Sequence, residues 1–427
     1  MSQSTTAFSN ALKNVYLPAI REELNEKTNL LDLFTEGDLT QYEWQGKALI
    51  FALHSSRNYS GVKYVPEGGG LPNAGNQGTA DLTVPIAHLK GRIQLTYEVM
   101  RASRSDKGSF VRAMDFEQKS LVNDVSRQRN RALAGYGSEV LAVVTTGVNN
   151  NTTQTIKNPG GVSGTVNPGR FLQPGMFVAF SDPTGATIRG VATVVSVSGS
   201  SLVVSAGITT TTNDVISLAT NSLGSSEDSI GDASMGILGI VDSTTYVTTI
   251  FGLDRSATAN AFFTSNVIGS VGVISADVLQ RGIDNTEERS GETIDKFICH
   301  SSARREVAKL TEADRRYAAS DKPQNFDAGT SAGAGKKDLT FNGWSFRTDK
   351  DMAYGTIVGV NTSHLFWLPE TKGEWADEDG TVLLRVSNTD AYEARFRVSE
   401  QFASDKGNAH LRLDGVTVTI SSGTYAD

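Results

Sequence analysis

The side chains best suited to chemistry are few in this chain, and their spacing does not suit it. Five histidines (His54, His88, His300, His364 and His410) stand far apart, with no HxH or HExxH run to hold a metal. One cysteine, Cys299, is too few for a structural zinc site or an internal disulfide, and suits a reducing cytoplasm. His300 follows Cys299 directly. On a strand, however, neighbours point to opposite faces, so the two do not form a nucleophile and its base. KFICH (Lys296–His300) reads instead as a short buried strand with a small thiol in the core. The run GAGKK (Gly333–Lys337) approaches a phosphate loop and fails it twice. Thr330 stands where the opening glycine belongs, and Lys337 stands where Ser or Thr must bind magnesium. PEGGGLPNAGNQG (Pro66–Gly78) is rich in glycine but follows no strand-to-helix turn, so it is no dinucleotide fingerprint.

Two charge patterns remain. EWADEDG places Glu374, Asp377, Glu378 and Asp379 just ahead of Gly380. Paired carboxylates can act as acid and base or hold calcium. The calcium-loop spacing is missing and the glycine marks a hairpin turn, so a solvated acidic turn is the simpler reading. Between Arg101 and Arg131, eight basic residues face four acidic ones, although the whole chain has a net charge of −8. Arg112, Lys119, Arg127 and Arg131 can meet phosphates weakly from this segment or pair with acidic neighbours. The overall negative charge argues against broad wrapping of nucleic acid. No catalytic residue, metal or cofactor is expected.

The elements that carry these residues can be read from periodicity. Ser105–Tyr136 forms one long amphipathic helix, with Ser105 or Asp106 as the cap. Phe110, Met114, Leu121 and Val125 share a face, and Gly135 and Gly137 provide the stop. Its length is about 45–50 Å at roughly 1.5 Å per residue, so it needs support from several elements or from other chains. Ahead of it, residues 1–45 form an arm with short helices, with Pro18 suited to a first helical position. Residues 46–100 form a hairpin. Its strands are Lys47–His54 and Thr83–Val99, the second bent at Pro85 or Gly91, and its tip is long and glycine-rich. Such a ribbon has no core of its own and is marginal unless it lies on another surface.

Residues 101–147 carry the helix and the start of the next region. Residues 148–222 hold only five charged side chains (Lys157, Arg170, Asp182, Arg189 and Asp214) among threonine, serine, valine and glycine. Short strands with tight turns there indicate an inserted small β-barrel or sandwich. In 223–390, Ser275 caps a helix bearing Leu279, Ile283 and Thr286. Ser301 or Ser302 caps another bearing Ala303, Val307 and Leu310, and Ala318–Lys337 forms a loop. In 391–427, Tyr392, Ala394, Phe396 and Val398 share one strand face. The chain is therefore α+β. No apolar run reaches the roughly 18 residues of a membrane span, and the opening twenty residues lack the pattern of a signal peptide.

The order of these parts, and several runs within them, resemble the major capsid proteins of tailed bacteriophages, the Johnson fold of the Hong Kong phage. The runs are Tyr16–Phe34, Ser56–Gly78, Arg101–Gly137, GLDRS at Gly252–Ser256, Glu374–Ala394 and SDKGNAHLRL at Ser404–Leu413. The resemblance implies that 46–100 is the extended loop. Arg57, Lys63, Glu67, Gly68, Gly69 and Gly70 would then meet an adjacent subunit. The long helix would be the spine helix, 223–390 the axial domain, and 391–427 strands of the peripheral domain. It further implies hexamers and pentamers closing an icosahedral shell around double-stranded DNA held by weak nonspecific contacts. The shell would be a virion capsid assembled in the bacterial host cytoplasm without a membrane. A portal protein is implied, and a decoration or cement protein is left open. A hairpin starting near residue 46 leaves no room for a cleaved scaffolding segment, so a separate scaffolding protein is expected, as is closure without covalent cross-links. An encapsulin-like compartment shell is the alternative. A β-rich adhesin or carbohydrate-active protein is a more distant one.

Overall fold

The computed structural model describes residues 30–37, 44–45, 48–98, 107–159, 167–219, 230–315, 339–341, 343–377, 382 and 384–419. The arm ahead of residue 30, Ser105 and Asp106, the GAGKK run, and Glu378 and Asp379 lie outside them.

Strand β1 (Ala48–Ser56) alternates strictly at its start: Leu49, Phe51 and Leu53 point inward while Ile50, Ala52 and His54 point outward. It pairs antiparallel with β2 (Gly78–Pro85), setting Leu49 opposite Val84 and Phe51 opposite Leu82. This apolar face is not left for another chain. Ile250, Leu253, Phe263, Leu368 and Ala403 of the same chain cover it. The expectation of a ribbon without a core of its own is corrected accordingly. The covering residues are remote in sequence, so periodicity within the hairpin gave no hint of them.

The run after β2 is two strands rather than one bent strand. β2 stops at Pro85, and β3 (Ala87–Thr96) starts a different sheet. Gly91 is no bend; it sits inside β3 where helix α1 (Lys107–Ala134) crosses the sheet. A Cβ at Gly91 would lie 2.9 Å from Leu121 Cδ1, so a larger residue there would force the Leu121 side chain to shift. Leu121, Val122 and Val125 of α1 then pack with Leu89, Phe396 and Val398.

After α1 the chain closes a six-stranded barrel from Ala142–Thr146, Asn151–Lys157, Phe177–Ser181, Ile188–Ser198, Ser201–Ile208 and Val215–Leu218. Its core includes Val144, Ile156, Val178, Phe180, Val194, Leu202 and Ile216. The first strand precedes residue 148, which corrects that boundary: AVVTT has the same uncharged, β-branched character as the strands that follow. Closure also explains how a region this poor in charge avoids edge-to-edge aggregation, since a barrel has no free edge to guard.

The remaining described chain adds a short ribbon of Thr249–Ile250 and Leu253–Asp254 and passes between two larger sheets. Helices α2 (Ala276–Ser290) and α3 (Ser301–Arg315) flank a six-stranded sheet ordered 266–268, 411–413, 357–360, 296–299, 344–348, 339–341. Leu279, Ile283, Ala303 and Val307 meet Phe297, Phe346, Ile357 and Leu411 in its core. Ser275 caps α2 by accepting from the Val278 amide, and Gly291 ends it in the left-handed region. Strand β4 (Leu365–Trp375) and β5 (Ala391–Ser404) form the other sheet with β3, Thr35–Glu36 and Leu384–Arg385. The division at 390/391 is therefore corrected. Leu365–Trp375 belongs with Ala391–Ser404, whereas Leu411–Leu413 returns to the six-stranded sheet. Strand partnership follows which apolar faces meet, and position along the chain does not encode that.

Candidate interaction surface

The tip of the hairpin is where the molecule is least complete. Between β1 and β2 the backbone of 57–77 leaves the ladder and runs without regular secondary structure. Local bonds hold its neck. His54 bonds Gln77 at 2.7 Å, and the Asn58 amide donates to the Gly75 carbonyl at 2.7 Å. The same Asn58 accepts from the Gly61 amide at 2.8 Å. The Gly69 amide donates to the Pro66 carbonyl at 2.9 Å, and Gly68 takes a φ of 75°, closing the turn at the tip. Beyond this neck the apolar side chains are bare. Relative exposure is 82% at Tyr59, 80% at Val62, 106% at Tyr64 and 89% at Leu71. Arg57, Lys63, Glu67, Gly68, Gly69 and Gly70 are all exposed on the same segment. No described residue of the chain buries these four large apolar groups, and burying them would be favourable.

The basic residues of α1 are not one phosphate-facing row. Lys119 is exposed. Arg127 lies 3.9 Å from Asp124 one turn away. Arg131 pairs with Glu139 and is 12% exposed, so its charge is used internally. Arg129 is likewise bound to Glu400, which also accepts from the Trp367 indole at 2.6 Å. The side chain of Arg112 lies outside the described residues.

Most of the histidines and the cysteine are buried or paired within the chain. Burial pushes the Cys299 thiol up to about 12, so it carries no thiolate at neutral pH. Burial, aided by Arg170 and Arg305, pulls His300 down to about 4; its Nδ1 accepts from the Ser302 amide at 3.2 Å at the start of α3. His410 is fully buried against Ser404 and is pulled down to about 3. His364 is raised by its 2.8 Å bond to Asp405. Glu374 and Asp377 are exposed at the end of β4. Among the described residues no three His, Cys, Asp or Glu side chains gather as a metal site, and no helix is long and apolar enough to cross a membrane.

One network escaped the sequence reading. Arg412 and Asp242, both completely buried, pair at 2.8 Å, and Arg412 also holds Asp414 at 2.7 Å. Arg412 donates to the Val241 carbonyl at 2.8 Å, and Arg255 donates to Gly239 and Ile240 at 2.8 and 2.7 Å. Burial raises the Asp242 carboxyl, but the Val247 and Tyr246 amides and Arg412 outweigh it and hold the group below its ordinary range. The signal was present in the sequence as the arginines of GLDRS and HLRL. Nothing local showed that both grip the turn at 237–242.

No protein-family model matches the chain, and no curated protein matches it in sequence. Solved structures do match. A chain of the cyanophage A-1(L) capsid asymmetric unit superimposes with a TM-score of 0.56 at 11% identity, covering 97% of this chain and 100% of that one. A chain of the capsid of the native GTA particle does so with a TM-score of 0.50 at 10% identity, covering 97% and 99%. At such identities the likeness is one of fold, and it runs from end to end: mixed α and β, arranged as in solved capsid chains.

Proposed function

We propose that this chain, which carries the fold of solved capsid chains, is the major capsid protein of a tailed double-stranded DNA bacteriophage. In this reading it assembles as hexamers and pentamers into an icosahedral shell around the packaged genome. The observation that carries the reading is the bare apolar tip at 57–77 on a fold matched over its full length by shell-forming chains. Fully burying one large apolar side chain is worth about 1.5–3 kcal/mol. Four per copy, docked on a neighbouring copy, supply a repeated favourable contact, and each subunit is held by several neighbours at once. Arg57, Lys63 and Glu67 would set the register of docking by charge. Gly68, Gly69 and Gly70 would let the tip differ between hexamer and pentamer. Lys119 and Arg112 would touch DNA weakly, and closure would be noncovalent. A separate scaffolding protein and a portal protein would complete assembly in the host cytoplasm, with a decoration or cement protein left open.

Electron microscopy of the expressed chain tests this. Closed shells are expected from the native sequence, and folded but unassembled subunits from a deletion of Lys63–Asn76. Gly69→Pro, which removes the amide bonded to Pro66, is expected to act the same way. Normal shells from the deletion would refute the docking role. Shells that enclose a protein cargo instead of nuclease-protected DNA would favour the compartment alternative.

A further inference from the structure

The barrel meets the rest of the molecule through one side chain more than any other. Among the described residues the barrel's buried core draws only on residues 141–218. Arg170 crosses the seam. One guanidinium nitrogen donates to the Met352 carbonyl at 3.1 Å and the Lys350 carbonyl at 3.3 Å, and the other to the Asp351 carbonyl at 3.3 Å. The guanidinium lies between two rings, 4.3 Å from Phe171 of the barrel and 4.6 Å from Tyr354 of the body. The gripped turn is itself fixed to α1, because the Asn130 amide donates to Asp351 at 2.8 Å and to both oxygens of Asp349 at 3.2 Å. Beside this contact lies a cavity of about 50 Å³ lined by Arg131, Glu139, Arg170, Phe171 and Asp351 among others. The Arg170 Nε is buried without a partner. A cavity of that size has room for water beside the carbonyls, which can take over their bonds if the guanidinium lets go.

We propose that Arg170 is a latch, and that the barrel is a rigid module whose tilt on the body is fixed by this grip and released when the grip is lost. An apolar seam resists opening because separation exposes oily surface to water. A seam of hydrogen bonds beside a cavity with room for water opens at little cost once its multidentate donor is removed. The proposal does not depend on the capsid reading.

The test uses spin labels at Ser196→Cys on the barrel and Glu288→Cys on α2, both exposed positions, in full-length chains diluted into unlabelled protein. Cys299, completely buried, does not compete for label. A single narrow distance distribution is expected with Arg170 intact. Arg170→Ala is expected to at least double its width while amide protection within the barrel strands stays unchanged. An unchanged width would overturn the proposal. So would loss of barrel protection together with broadening, because Arg170 would then be a folding contact. If Arg170→Ala fails to fold, Arg170→Lys decides: it keeps the charge but not the fork, so broadening supports the latch and an unchanged width rejects it.

Discussion

Residues 237–256 and 57–77 are both glycine-bearing, polar stretches without long strands or helices, yet they meet opposite ends. In the first, the Asp242 carboxylate is fully answered inside the chain. Asp242 accepts four backbone amides, from Ser243, Thr245, Tyr246 and Val247, and Arg412 besides. In the second, the polar groups brace a neck and the apolar ones face solvent. A buried network is intolerant of change because removing one partner strands the other in low dielectric. An exposed tip can be altered freely as far as its own fold is concerned. The contrast separates residues that hold this chain together from residues left free to contact other molecules.

The contrast can be broken most sharply at Asp242. Asp242→Ala leaves Arg412 buried with one carboxylate fewer and is expected to cost about 3–5 kcal/mol in denaturant unfolding. A loss under about 1 kcal/mol would mean that the network does not anchor the fold. Leu49→Ala, in the covered base of the hairpin, should cost about 2–5 kcal/mol through its cavity. Tyr64→Ser and Leu71→Ser, in the bare tip of the same hairpin, should change stability by no more than about 0.5 kcal/mol. The same two changes should cut the yield of assembled particles severalfold. Equal effects at base and tip would erase the distinction.

A smaller effect concerns pH. The folded Asp242 carboxyl sits below its ordinary value of 3.8, so the folded state holds its charged form more tightly than the unfolded state does. Its contribution is present above that ordinary value and is lost as pH falls through the lower folded one. Asp242→Asn should therefore flatten the acid limb of the stability curve below about pH 4, measured by denaturant titration. An unaltered acid limb would remove Asp242 as a cause of acid sensitivity. The smallest effect is at Cys299. Its thiol should react with a maleimide only after unfolding, and reaction at native rates would contradict its burial.

Much of the architecture was legible. The period-two pattern of Leu49, Phe51 and Leu53 and the helical spacing of Leu121 and Val125 are local properties, and each produced its element. The low charge and frequent turns of residues 148–222 marked a small β-barrel or sandwich, and the strands close into a barrel that starts earlier, at Ala142. The candidate tip was readable because glycine, proline and asparagine between two amphipathic strands leave the chain no regular partner. The basic residues of α1 were legible as charges but not as contacts: Arg131 and Arg129 look identical in sequence to a phosphate-binding pair, yet Glu139 and Glu400 take them.

By itself, the order of residues determined most of which segments are helix or strand and which face of each is apolar. Those outcomes rest on interactions within a few residues, where chain connectivity fixes geometry. Tertiary structure alone decided that the hairpin's base is covered and its tip bare. It also decided that Leu365–Trp375 and Leu411–Leu413 lie in different sheets, and that Arg412 finds Asp242 from 170 positions away. Such pairings depend on which surfaces meet when the whole chain collapses. A charge or an apolar face declares in sequence only that it needs a partner, and packing supplies which one.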